Sequence, residues 1–295
     1  MKMIRPITVN DAVLDSTNVA ETDYAAWLVG TTYADEDRVI VVSTHTIYES
    51  VQAANTGHDP TADDGTWWFG ISATNAWKMF DGHGGTATVN ATTIEVTLDP
   101  GRVNSIALLG LDANSVTVEM FDGVTSVYSK TSNLTIENVG DWYEYFYEPI
   151  IKNNTLVLTD LPLYTAATIE ITIDNTGSNA ECGLCVAGLF RNLGNAIYGV
   201  SAGIVDYSRK ETDTFGQVTI LERQFSKRAS FDIVVDNVLI SEIARLLAEY
   251  RAIPVVWVGS ADYDSTVIFG FYRDFDTVIA NPAYSECSLE IEGII

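Results

Sequence analysis

The sequence predicts a mainly β, multidomain protein. A small aromatic β module and a β-sandwich, or jelly roll, are followed by an α+β domain with one helix. Three observations predict this. Short strand-like runs recur between Thr92 and Phe190, and in Thr168-Ile-Glu-Ile-Thr-Ile-Asp174 apolar and polar residues alternate as in a half-buried strand. Helical periodicity is convincing only over 237–254. At 295 residues the chain is too long for one small domain and reads as two or three.

Residues 1–20 form a short segment in which "ITVNDAVL" (7–14) reads as a strand. Residues 21–81 are rich in Trp and Tyr. "RVIVVSTHTIYES" (38–50) reads as a hairpin and "NTGHDPTADDGT" (55–66) as a loop. So small a module needs aromatic bulk for a core, which Trp27, Tyr33, Tyr48, Trp67, Trp68 and Trp77 would supply.

Residues 82–192 read as the sandwich, with Asp122-Gly123 and Asn175-Thr-Gly177 as turns between strands. "DWYEYFYEPI" (141–150) holds five aromatics and reads as core plus subunit interface, with a sugar platform as the weaker alternative. Residues 193–295 read as a sheet with one packed helix. Asp236 or Asn237 would cap that helix and Pro254 would stop it.

The formal net charge is −24. Residues 1–190 carry 25 acids and 7 bases, whereas 191–295 carry 15 acids and 9 bases. This argues against sequence-specific nucleic-acid binding, which needs clustered cations, and against anionic membranes. No apolar run of membrane-spanning length occurs. The N-terminus lacks the apolar stretch of a signal peptide, so synthesis and assembly in a cytoplasm are expected.

Cys182-Gly-Leu-Cys185 has CxxC spacing, but a zinc site needs further ligands, and only Cys287 and the distant His45, His58 and His83 remain. The cysteines therefore read as structural. No catalytic or nucleotide-binding motif occurs, so no enzyme is expected. No cofactor is expected either. A structural calcium in the oxygen-rich turns at Asp35-Glu-Asp37 and Asp63-Asp64 is the weaker alternative to solvated loops. Tyr48, Trp67, Trp68 and Trp77 are the candidates for stacking on a sugar, because aromatic side chains join apolar area to a polar tip.

Residues 24–68 resemble the small chitin-binding-type carbohydrate modules. The shared pattern is Trp27, Tyr33, an acidic turn before Val39, Tyr48-Glu49, Pro60 and a closing Trp67 or Trp68. That family places exposed aromatics just after the Tyr-Glu pair, where this chain has Val51-Gln52-Ala53. The extended pattern Asn55-Thr-Gly-His58, Pro60 and Thr74-Asn-Ala-Trp-Lys-Met-Phe-Asp81 resembles a segment of bacteriophage tail proteins. Residues 86–190 resemble galactose-binding-type jelly rolls in pattern, and 193–295 resemble the C-terminal part of such tail proteins, with the ring-forming belt domain of distal tail proteins.

The resemblance implies a virion-tail component of the distal tail or baseplate type. It would form a ring, expected to be a hexamer, and contact the tail tube and hub. Segments 1–20 and 193–295 would build the ring, while 21–81 and 82–192 would project and meet host-surface polysaccharide. Arg209, Lys210, Arg223, Lys227 and Arg228 are the candidate rim contacts. The alternatives are a dedicated glycan-binding receptor protein and a polysaccharide-degrading enzyme.

Overall fold

The structure, a computed structural model, describes residues 1–136, 143, 151–212, 214–261, 263–279 and 281–294. The expected interface stretch 141–150 thus lies outside the described residues except for Tyr143. The protein is mainly β with several sheets, the largest of 14 strands, and one described α-helix.

Strand β1 is Lys2–Pro6 and β2 is Leu14–Thr17. The expected strand over 7–14 does not form: residues 7–10 are irregular, 11–13 make a turn, and only Leu14 enters a strand. The Asn10 side chain accepts from the Ala12 N–H, and its carbonyl accepts from Val13 and Leu14. Asn-Asp favours this local bonding over a ladder.

In the aromatic module, β4 (Arg38–Val41), β5 (Thr46–Ser50) and β7 (Trp68–Ala73) form an antiparallel sheet. A short pair, β3 (Thr32–Tyr33) with β6 (Asn55–Thr56), lies beside it. A 3-10 turn follows at Lys78–Phe80.

The sandwich contains β8 (Thr88–Leu98), β9 (Ser105–Asp112), β10 (Ser115–Asp122), β11 (Thr125–Asn133), β12 (Thr135–Ile136), β13 (Ile151–Lys152), β14 (Thr155–Leu158) and β15 (Ala167–Asn192). Asp122-Gly123 is a hairpin turn as expected, with Gly123 at φ 62°. Asn175-Thr-Gly177 is not a reversal. The chain continues through it as one strand, and β15 pairs β8 on both sides of an irregularity between Asp174 and Asn179. Gly177 at φ 100° and Thr92 at φ 63° in β8 absorb the extra residues. A bulge of this kind bends a strand without ending its pairing.

The C-terminal part contains β16 (Asn195–Ala196), β17 (Ser201–Asp206), β18 (Arg209–Thr212), β19 (Val218–Leu221), β20 (Phe225–Asp236), helix α1 (Ile240–Glu249), β21 (Val255–Val258), β22 (Val267–Val278) and β23 (Tyr284–Gly293). Helix α1 buries Ile243 and Leu247 against the sheet. Its N-cap is Leu239, without a side-chain cap. Asp236 accepts from the Val238 N–H instead, and Asn237 bonds to Asn281 and Ser285. Both expected caps serve the turn before the helix.

Strand β1 joins the two large parts. It pairs with β15 on one side (Ile4 opposite Phe190) and with β21 on the other (Ile4 opposite Val256). One hydrophobic core fills the sandwich and another lies beneath α1 around Phe231 and Trp257. A third, of Ile4, Ala107, Leu184, Val186, Val256, Val258 and Val267, spans the seam between them. The rest of segment 1–20 goes to the sandwich, where β2 pairs β8 and Val19 enters the core.

Candidate functional site

The aromatic module has a very small core: Tyr33, Val39 and Trp68 are buried, with Trp27, Tyr48 and Trp67 packed partly against them. Trp68 is 2% exposed and Trp77 is 8% exposed. The Trp68 indole N–H donates to the His58 carbonyl at 2.9 Å, and the Trp77 indole N–H donates to the Glu21 carboxylate at 3.1 Å. Both point inward, so neither offers a face to a sugar, which corrects the expectation for these two candidates. For Trp68 the reason is economy of core: a short module has little else to bury. Trp77 also belongs to the sandwich core rather than to that of its own module.

The other two candidates are also engaged. One face of Trp67 is covered by His58, with ring centroids 3.9 Å apart and planes at 10°. Tyr48 lies opposite Gly70 in the β5–β7 ladder, its ring over the space a side chain would take there. The structure does not bring the four together into one platform.

The turn between Asn55 and Trp67 is held from within. Asn55 is buried, and its amide donates to Ser50 Oγ and to the Trp67 carbonyl. The Asp63 carboxylate accepts from the backbone N–H groups of Gly65, Trp67 and Trp68. Burial alone would raise the Asp63 pKa, but the backbone donors Trp68, Trp67 and Gly65 together bring it below the usual carboxylate value.

A cleft of about 260 Å³ opens on another side of this module, lined by Asp23, Tyr24, Arg38, Ile47, Ile71, Ser72 and Lys78. Tyr24 and Ile71 are exposed. Arg38 donates to Glu49 at 2.8 Å and to the Tyr24 hydroxyl at 3.2 Å, and its guanidinium lies over the Tyr24 ring. Sequence reasoning missed this cleft. Tyr24, Arg38 and Lys78 share no motif, and only the β4–β5–β7 sheet and the 3-10 turn bring them together. The one available signal was the scarcity of bases before residue 191.

The rim candidates divide into two groups. Arg209, Lys210 and Arg223 are exposed on an arm, 207–224, in which β18 and β19 pair only with each other among the described residues. Arg209 also contacts Glu211 at 3.3 Å. Lys227 is turned inward to Asp264 at 2.7 Å, which makes it a tie within the chain rather than a rim contact. Arg228 is exposed on β20, opposite Glu292.

A second cleft, of about 240 Å³, runs along the seam between sandwich and C-terminal sheet, beside Leu109, Thr155, Phe225 and Lys227. Asp264 bonds to two of its lining residues, Thr155 and Lys227. Burial pushes the Cys185 thiol up to about 12 and raises Cys182 well above its ordinary value. Among the described residues, no group of three or more His, Cys, Asp or Glu side chains is placed to hold a metal ion.

No family model matches the chain, and no curated protein matches it. Among solved structures, a selenomethionine-labelled mutant of chitosan-binding module 1, from a chitosanase/glucanase of Paenibacillus sp. IK-5, is similar over 38% of this chain and 83% of that chain. Its identity is 17% and its TM-score 0.26.

Proposed function

We propose that this chain is a structural component of a bacteriophage tail tip, of the distal tail or baseplate type, which assembles with copies of itself into a ring. The phage context rests on the resemblance of 24–81 and 193–295 to tail proteins. The observation that carries the assembly reading is the 207–224 arm. Val218, Ile220 and Leu221 are exposed on its two faces, and no other described strand pairs with it. A two-stranded ribbon on its own is marginal in water, so an arm of this kind favours a surface that covers it.

The sheet that bears the arm supports the same reading. Its strands run β17, β20, β23, β22. The outer edge of β17 has no described partner, and β21 covers β22 only as far as Gly270. Open edges invite pairing with another chain. The exposed face of this sheet carries Asp232, Asp274, Asp276, Glu286 and Glu290, which complement the arm cations Arg209, Lys210 and Arg223. Head-to-tail contact of arm on sheet generates a ring when its rotation closes. The tail tube and hub would then be neighbours, and the module and sandwich would project.

Cryo-electron microscopy of the purified chain, alone and added to tail particles, tests this proposal. Closed rings that seat at the tail end are expected. A stable monomer that never joins tail particles would contradict it.

A further inference from the structure

The first 190 residues contain only seven bases, and two of them, Arg38 and Lys78, meet in the cleft of the aromatic module although 40 positions separate them. Lys2, Lys130 and Lys152 are spent within the chain, on Thr159, Asp160 and Asp112. Lys78 has no ion-pair or side-chain hydrogen-bond partner among the described residues. Asp23, the acid in the same cleft, has both carboxylate oxygens on the Asn75 N–H. In a chain of net charge −24, an uncommitted ammonium beside a half-exposed tyrosine is available to something outside the chain.

We propose that this cleft binds one acidic sugar residue of an anionic glycan. The Tyr24 ring, 39% exposed, and Ile71 offer apolar surface to the C–H face of a pyranose. Lys78 meets the acid group, and Arg38, paired with Glu49, holds Tyr24 in place through the 3.2 Å hydrogen bond. Asp23 and Ser72 accept from hydroxyls. At about 260 Å³ the cleft lies just below the usual range for small-molecule sites, which starts at roughly 300 Å³, so it suits one ring rather than a long oligomer. A nucleic-acid strand would suffer repulsion from the surrounding carboxylates along its length, whereas a single sugar residue brings one acid group to one cation.

The acid can be a carboxylate, as in a uronic acid, or a phosphate ester. Titration calorimetry of the full chain with trigalacturonate, glucose 1-phosphate and neutral galactose separates these sources. Binding of at least one acid, weakened by salt and stronger than galactose, is expected. Lys78→Gln and Tyr24→Ala should each weaken it about tenfold, the scale of one charge-assisted bond or one good stacking contact. Lys130→Gln, which lies outside the cleft, should leave it close to the parent. No binding of either acid at millimolar concentration overturns the proposal. So does equal binding of galactose, or an unchanged affinity in a folded Lys78→Gln chain. The site does not depend on ring formation: a monomer that binds trigalacturonate sinks the tail-ring reading and leaves this one standing.

Discussion

His45 stacks on Trp77, with ring centroids 4.0 Å apart and planes at 21°. The contact joins the β4–β5 turn of the aromatic module to a side chain in the sandwich core. The imidazole is also bracketed by carboxylates: Nε2 lies 2.7 Å from Asp11 and Nδ1 lies 2.9 Å from Glu21. Glu21 in turn accepts from Thr74 Oγ1 and from the Trp77 indole. These residues fasten module to sandwich.

His45→Ala should therefore destabilise the chain by about 1–2 kcal/mol. That is the scale of a stacking contact plus hydrogen bonds to charged groups, discounted for the exposure of Asp11. A lower melting temperature with earlier protease cleavage between module and sandwich checks this. An unchanged melting temperature would mean that the module is held elsewhere.

Gly188 faces the backbone of β1. A Cβ there would sit 1.9 Å from the Arg5 carbonyl oxygen, a backbone atom that cannot swing aside. Gly188→Ala should cost about 3 kcal/mol or more, at the upper end for overpacking. Chemical denaturation checks it, with Gly30→Ala, where nothing lies within 4 Å, as the mild control.

Asp63 ties the turn before Trp67 and Trp68. Its folded pKa is depressed below the ordinary 3.8, so its stabilisation is fully present above 3.8 and is lost as pH falls through the folded value. Tryptophan fluorescence in acid should show a transition in that window, and Asp63→Asn should flatten it. An identical acid limb in the variant would count against the anchoring role.

Cys182, Cys185 and Cys287 are buried and unpaired. Burial disfavours the Cys182 and Cys185 thiolates. A thiol reagent at mildly alkaline pH should therefore label none of the three in the native chain and all of them in denaturant. Rapid native labelling would contradict the packing of β15, which holds Cys182 and Cys185, or of β23, which holds Cys287.

Much of this architecture was written locally. The alternation of Ile169, Ile171 and Ile173 announces a half-buried strand, and all three are buried in it. Asp122-Gly123 announces a hairpin that forms. Asn175-Thr-Gly177 carries the same turn chemistry but yields a bulge, because pairing with β8 resumes beyond it and outweighs the local preference. The partners of β1 were not legible. Arg191 and Trp257 flank Met3 from positions far along the chain, and no local pattern encodes a pairing of that range. The burial of Trp68 and Trp77 was not legible for a related reason. Tryptophan content signals both a core and a sugar platform, and only the ladder decides which way Trp68 points. Tyr24 and Lys78 drew no notice because their cleft exists only in three dimensions.

The most direct test of the assembly reading is the mass of the purified chain in dilute solution, beside an Ile220→Ser/Leu221→Ser variant of the exposed arm. The reading predicts a particle about six times the 32.2 kDa chain mass for the parent and a collapse toward single chains for the variant, with the melting transition retained. A parent that stays at 32.2 kDa at every concentration, or a variant that assembles as well as the parent, would contradict it.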